Sequence, residues 1–102
     1  MEILEAIKNR SSIRVFTGQD VLEEEIDILL DAGFQAPSSS NFRPVHFITI
    51  KDKVTLAKIA KSNMYAKSVF EAGCAILFFR DKNSQETVEY LIADCSAALQ
   101  NI

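Results

Sequence analysis

Residues 9–14 read NRSSIR and bring two arginines and two serines into six positions. Arginine presents a planar fork of charged donors that grips a phosphate or carboxylate through two parallel hydrogen bonds. Arg10 and Arg14 can converge on one anion if the chain turns between them, with Ser11 and Ser12 adding hydroxyl and backbone N–H donors. An ordinary reading accounts for the same residues. Arginine at a helix C-terminus complements the helix dipole, and serine is a common turn residue. These six residues leave both readings open.

A second polar cluster, APSSSNFRP, spans residues 36–44. Two prolines bracket three serines and an asparagine, so the segment reads as a held loop. Asn41 carries both a donor and an acceptor, which can read the edge of a planar heterocycle displaying carbonyl and N–H groups. A capped connecting loop with no ligand explains this cluster too when it is taken alone.

The rest of the chain limits what these clusters can serve. With 102 residues it is expected to form one domain, and it is 48% hydrophobic and 25% charged, as soluble globular proteins are. A net charge of −3 argues against general nucleic-acid or anionic-membrane binding, which need a basic face. The amphipathic start MEILEAIKNR lacks the continuous apolar core of a secretory signal, and the longest mostly apolar run, residues 72–79, is too short to span a bilayer. Cys74 and Cys95 stand 21 apart in no C-x-x-C pattern, which predicts two reduced, buried thiols in a cytoplasmic protein. His46 is the single histidine, so no metal site is expected.

The elements that must position the clusters are set by periodicity. Ile3, Leu4 and Ile7 give one apolar face to a first helix ending near Arg10. Asp20 and Glu23 form a capping box for a second helix over residues 21–35, which carries Leu22, Ile26, Leu29, Leu30 and Gly33 and ends before Pro37. Residues 45–50 (VHFITI) read as a strand. Asp52 caps a third helix bearing Leu56, Ile59 and Ala60, and residues 63–72 are ambiguous. Residues 75–79 (AILFF) read as a strand buried on both faces. Asn83 and Glu86 form a further capping pair before a helix whose apolar stripe runs Val88, Leu91, Ile92, Cys95, Leu99 and Ile102. That stripe has no stop signal, and two strands make a marginal sheet. The pattern therefore predicts helices on a small sheet, incomplete as a lone chain.

The ordered set resembles the N-terminal half of the FMN-dependent nitroreductase family. That family begins with a helix, an R-x-S-x-R-type element and a second helix ending in A-P-S-(S)-x-N-x-Q-P-W before a strand. The counterparts here are RSSIR at residues 10–14 and APSSSNFRPVHF at residues 36–47, with an apolar strand after them and a helix with Asp94 and an ALQNI ending at residues 98–102. The resemblance covers all 102 residues in order. It implies a nitroreductase-like α+β fold, and a single, apparently partial domain over residues 1–102. It also implies an enzyme: an FMN flavoprotein that takes hydride from NADH or NADPH and passes it to nitroaromatic or quinone-type acceptors in ping-pong fashion.

By that resemblance Arg10, Ser11, Ser12 and Arg14 hold the FMN phosphate and ribityl end, while Pro37, Ser38, Ser39 and Asn41 lie against the flavin ring. The second set comes from the partner subunit of a homodimer, with FMN at the interface. Asn63 and Lys67 are further polar candidates. Arg43 and Val45 stand where the family has glutamine and tryptophan, and Arg43 favours an anionic substrate or a second anion. No side chain is expected to act as a nucleophile, since no Ser/His/Asp or Cys/His set is evident and the chemistry belongs to the cofactor. Family members continue well past this length. The alternative is therefore a truncated, non-catalytic remnant that binds FMN weakly or serves only in dimerisation. An unrelated nucleotide-phosphate enzyme is disfavoured, because the three glycines are not clustered.

Overall fold

The computed structural model describes residues 2–81 and 87–102. Helix α1 (Ile3–Asn9) leads into an extended arm that reaches helix α2 (Glu23–Phe34). A tight turn at Ser39–Asn41 precedes strand β1 (His46–Ile50). Helix α3 (Lys53–Ser62) and a 3-10 helix (Met64–Glu71) lead to strand β2 (Ala75–Phe79), and helix α4 spans Val88–Asn101. The expected capping pair Asn83/Glu86 lies outside the described residues.

Strands β1 and β2 pair antiparallel, with His46 opposite Phe79 and Ile50 opposite Ala75. One face of this ribbon is covered. Phe47 meets Phe78 across the strands at a centroid distance of 4.8 Å and Phe34 of α2 at 5.0 Å, both edge-to-face. That geometry suits the ring quadrupoles. Helix α4 lies against α2, and Asn101 Nδ2 donates to the Ala32 carbonyl at 3.1 Å to close their C-terminal ends. The other face carries Ile48, Leu77 and Phe79, all exposed. The expectation that β2 is buried on both faces is thus corrected. Side chains alternate across a strand, and among the described residues only one side of this two-stranded ribbon is covered.

Helix α3 forms as its sequence dictates. The Asp52 carboxylate accepts from Thr55 N at 3.0 Å and Thr55 Oγ1 at 2.6 Å, and Leu56 is fully buried, packing α3 into the interior of the chain. The capping box expected for α2 does not form. Leu22 occupies the N-cap without a side-chain bond, and Asp20 instead pairs with Lys51 Nζ at 2.9 Å. A charge-assisted bond to an ammonium outcompetes a neutral backbone donor, and Glu23, Glu24 and Glu25 in the first turn still complement the dipole. Cys74 and Cys95 are half-buried and form no disulfide. No described helix is long and apolar enough to cross a membrane.

Candidate functional site

The arm that carries Arg10 to Arg14 is exposed throughout, so it is held by a few specific contacts at its far end. Gly18 adopts φ +77°, a left-handed conformation that glycine takes without a steric penalty. The next residue, Gln19, runs so close to Gly73 that a Cβ there would sit 2.0 Å from the Gln19 carbonyl oxygen. Lys51 then ties down the exit of the arm. Its ammonium donates to the Val21 carbonyl at 2.8 Å and pairs with Asp20 at 2.9 Å and Glu23 at 3.6 Å. The Asp20 carboxyl is accordingly held below its ordinary range, chiefly by the Lys51 hydrogen bond, and Lys51 is raised by the same bond. Lys53 Nζ donates to Ala72 O at 3.2 Å and steadies the segment against which the arm lies.

This placement brings Arg14 to a cleft of about 350 Å³ together with Met64, Tyr65, Lys67 and Ser68 from the 3-10 helix. Two cations and two hydroxyls on one small cleft suit an anion. Arg10, Ser11 and Ser12 do not line this cleft but remain on the exposed arm. None of the side chains of Arg10, Ser11, Ser12, Arg14 or Lys67 bonds to a protein group among the described residues. Asn63 is otherwise engaged: its Oδ1 accepts from Tyr65 N at 2.8 Å and caps the 3-10 helix.

The serine loop forms a separate structure. Ser40, Asn41 and Arg43 all have positive φ (53°, 57° and 50°), a conformation uncommon for residues with a Cβ. Local bonds hold it. Ser38 Oγ accepts from Arg43 N at 2.8 Å, Asn41 N donates to Ser38 O at 3.0 Å, and Arg43 Nε donates to Asn41 Oδ1 at 3.1 Å. From α4, Asp94 reaches the backbone N–H of Ser39, 3.1 Å from Oδ1 and 3.3 Å from Oδ2. Pro37 and Ser38 line a cleft of about 300 Å³ with Arg43, His46, Phe47 and Asp94. Ser39 and Asn41 are not among its lining residues. The cleft is apolar in its walls, with Arg43 and His46 its basic groups. It shares no residue with the Arg14 cleft.

Of the two sets singled out in the sequence, Arg14 lines one cleft and Pro37 and Ser38 the other, while Arg10, Ser11, Ser12, Ser39 and Asn41 line neither. Lys51, which pins the exit of the arm, was not singled out from sequence, and Asp94 was named on the last helix without its partner Ser39. Asp94 did leave a signal, a lone carboxylate between Leu91, Cys95 and Ala98 on the apolar stripe of α4. Lys51 left none, since a lysine between a strand and a helix is unremarkable. Among the described residues no group of three or more His, Cys, Asp or Glu side chains could hold a metal ion.

The model of the nitroreductase family matches residues 7–66. A relative in Methanothermobacter thermautotrophicus, named "Putative NADH dehydrogenase/NAD(P)H nitroreductase", is 40% identical over all of this chain and 53% of its own length. An FMN reductase [NAD(P)H] of Bacillus subtilis is 32% identical, covering 80% of this chain and 33% of its own. The solved structure of an FMN-dependent nitroreductase from Clostridium difficile superposes with a TM-score of 0.86 at 29% identity, covering 97% of this chain and 57% of that one. The chain spans a little over half the length of the first two curated relatives it matches, 53% and 59%.

Proposed function

The chain belongs to the nitroreductase family, and from that premise we propose that it acts as an FMN-dependent oxidoreductase. In this reading electrons pass from NADH or NADPH to nitroaromatic or quinone-type acceptors. Bound FMN supplies the hydride-accepting and hydride-donating chemistry. The chain's own residues bind and orient it. Arg14 and Lys67 neutralise the phosphate in their shared cleft, and Arg10, Ser11 and Ser12 supply further donors from the arm. Pro37, Ser38, Ser39 and Asn41 form the preorganised loop for the flavin ring. The FMN reductase relative and the FMN-dependent neighbour support the choice of cofactor.

The observation that carries the reading is the pair Arg14 and Lys67 on one cleft, two cations with no protein acceptor among the described residues of an acidic chain. The serine-loop cleft shares no residue with it, which is compatible with a ligand that takes the two sets from different copies. In this reading the protein is a homodimer with the cofactor between subunits. The thiols of Cys74 and Cys95, which form no disulfide, fit a cytoplasmic setting.

The test is the visible spectrum of the purified protein after incubation with FMN and dialysis, with its intact mass checked. Retained flavin absorbance at the mass of this chain is expected, with NAD(P)H oxidation on adding a quinone. A colourless protein would favour the reading in which this chain is a non-catalytic dimerisation module.

A further inference from the structure

We propose that Asp94 is the positioning residue of the serine loop, holding segment 38–43 in the turn, with Ser40, Asn41 and Arg43 at positive φ, that offers the Asn41 amide to a ligand. This inference rests on the flavin reading above. Asp94 is 6% exposed, yet no basic side chain pairs with it among the described residues. Burying a carboxylate is costly unless it is hydrogen-bonded. Its partners are all on Ser39, the backbone N–H at 3.1 and 3.3 Å from its two oxygens and the hydroxyl at 3.5 Å, across 55 residues of sequence. In low-dielectric surroundings such a charge-assisted bond is strengthened.

Ser39 opens the turn, so fixing its backbone also constrains residues 40–43. Ser40, Asn41 and Arg43 persist at positive φ, where side-chain-bearing residues stay only if their surroundings over-determine them. Asp94 supplies one such constraint and the Arg43 N–H to Ser38 Oγ bond a second. Asn41 Oδ1 accepts from Arg43 Nε, and the Asn41 Nδ2 donors have no protein acceptor among the described residues. The loop is thereby set to give hydrogen bonds to a planar ring edge that displays acceptors. Asp94 also lines the cleft of about 300 Å³ beside the loop, and its bonds among the described residues run only to Ser39.

The test separates the ring end of the cofactor from its phosphate end. Asp94→Asn in the full chain keeps the shape but loses the charge. Amide hydrogen exchange of the apo protein is expected to quicken roughly tenfold at Ser39 and Asn41, with the β1–β2 amides unchanged. Affinities for FMN and for riboflavin, which lacks the phosphate, are expected to fall by the same factor, roughly tenfold. Arg14→Ala weakens FMN alone. Should Asp94→Asn fail to fold, Asp94→Glu keeps the charge, shifts the carboxylate by one methylene and carries the same comparison. Unchanged exchange at Ser39, or quickened exchange with both flavin affinities intact, overturns the proposal. If the wild type binds neither flavin, the functional reading fails, and exchange at Ser39 decides separately whether Asp94 anchors the loop.

Discussion

The Lys51 ammonium lies 2.9 Å from the Asp20 carboxylate and 2.8 Å from the Val21 carbonyl, joining the end of β1 to the exit of the exposed arm. Asp20 is held below its ordinary value of 3.8 by that hydrogen bond, and Lys51 above its ordinary value of 10.5 by the same bond. A depressed carboxylate stabilises the fold above its unfolded pKa and stops doing so as pH falls through its folded one. A raised ammonium stabilises below its unfolded pKa and stops doing so as pH rises through its folded one. Asp20→Asn is therefore expected to lower stability across the neutral range. The difference from wild type should close below 3.8 and above 10.5. Urea midpoints across pH check this, and a gap that ignores pH would remove the ion pair from the account.

Arg14→Ala removes one of the two cations from the 350 Å³ cleft. FMN affinity is expected to drop by about 1.5–3 kcal/mol, the scale of a hydrogen bond to a charged group. Folding of the apo protein should barely change, because Arg14 bonds no protein group among the described residues. Equal FMN titrations for the two proteins would falsify the phosphate-cradle reading.

Gly73→Ala places a methyl group 2.0 Å from the Gln19 carbonyl oxygen, a backbone atom that cannot swing aside. Relieving the overlap must displace the arm or strain the fold, at about 1–3 kcal/mol. Because the arm also bears Arg14, FMN affinity should fall with stability. Limited proteolysis should show faster cleavage between residues 10 and 20. An arm protected as in the wild type, with unaltered FMN binding, would mean that it is held elsewhere.

Leu56→Ala empties a fully buried site on α3, which packs against the 3-10 helix carrying Lys67. A loss of about 2–5 kcal/mol is expected. It should read as a lower urea midpoint with the slope unchanged. A loss of only about 0.5 kcal/mol, the scale of a surface substitution, would show that the neighbouring side chains close over the cavity.

Much of the fold was legible because its signals are local. Asp52 caps α3 through Thr55, three residues on, and β2 runs Ala75–Phe79 as its apolar run dictates. The two polar clusters were legible as clusters for the same reason. What sequence reasoning missed depends on partners far along the chain. Asp20 satisfies a three-residue capping pattern, yet its bond goes to Lys51, because an ammonium brought in by β1 outweighs a helix N–H. Asp94 bonds Ser39 across 55 residues, and periodicity along α4 says nothing of what lies opposite. Nor does spacing show that Arg14 and Ser38 open onto different clefts, since that depends on which side of the chain each element packs.

If the cofactor binds between two subunits, as proposed, it is captured by a pair of chains rather than by one. Its half-saturation point then moves with protein concentration. Dilution alone releases the cofactor once subunits part, even with free cofactor held constant, and adding cofactor drives the subunits together. Flavin occupancy and subunit association become one linked equilibrium, and a dissociation constant for either has meaning only with the concentration of the other stated.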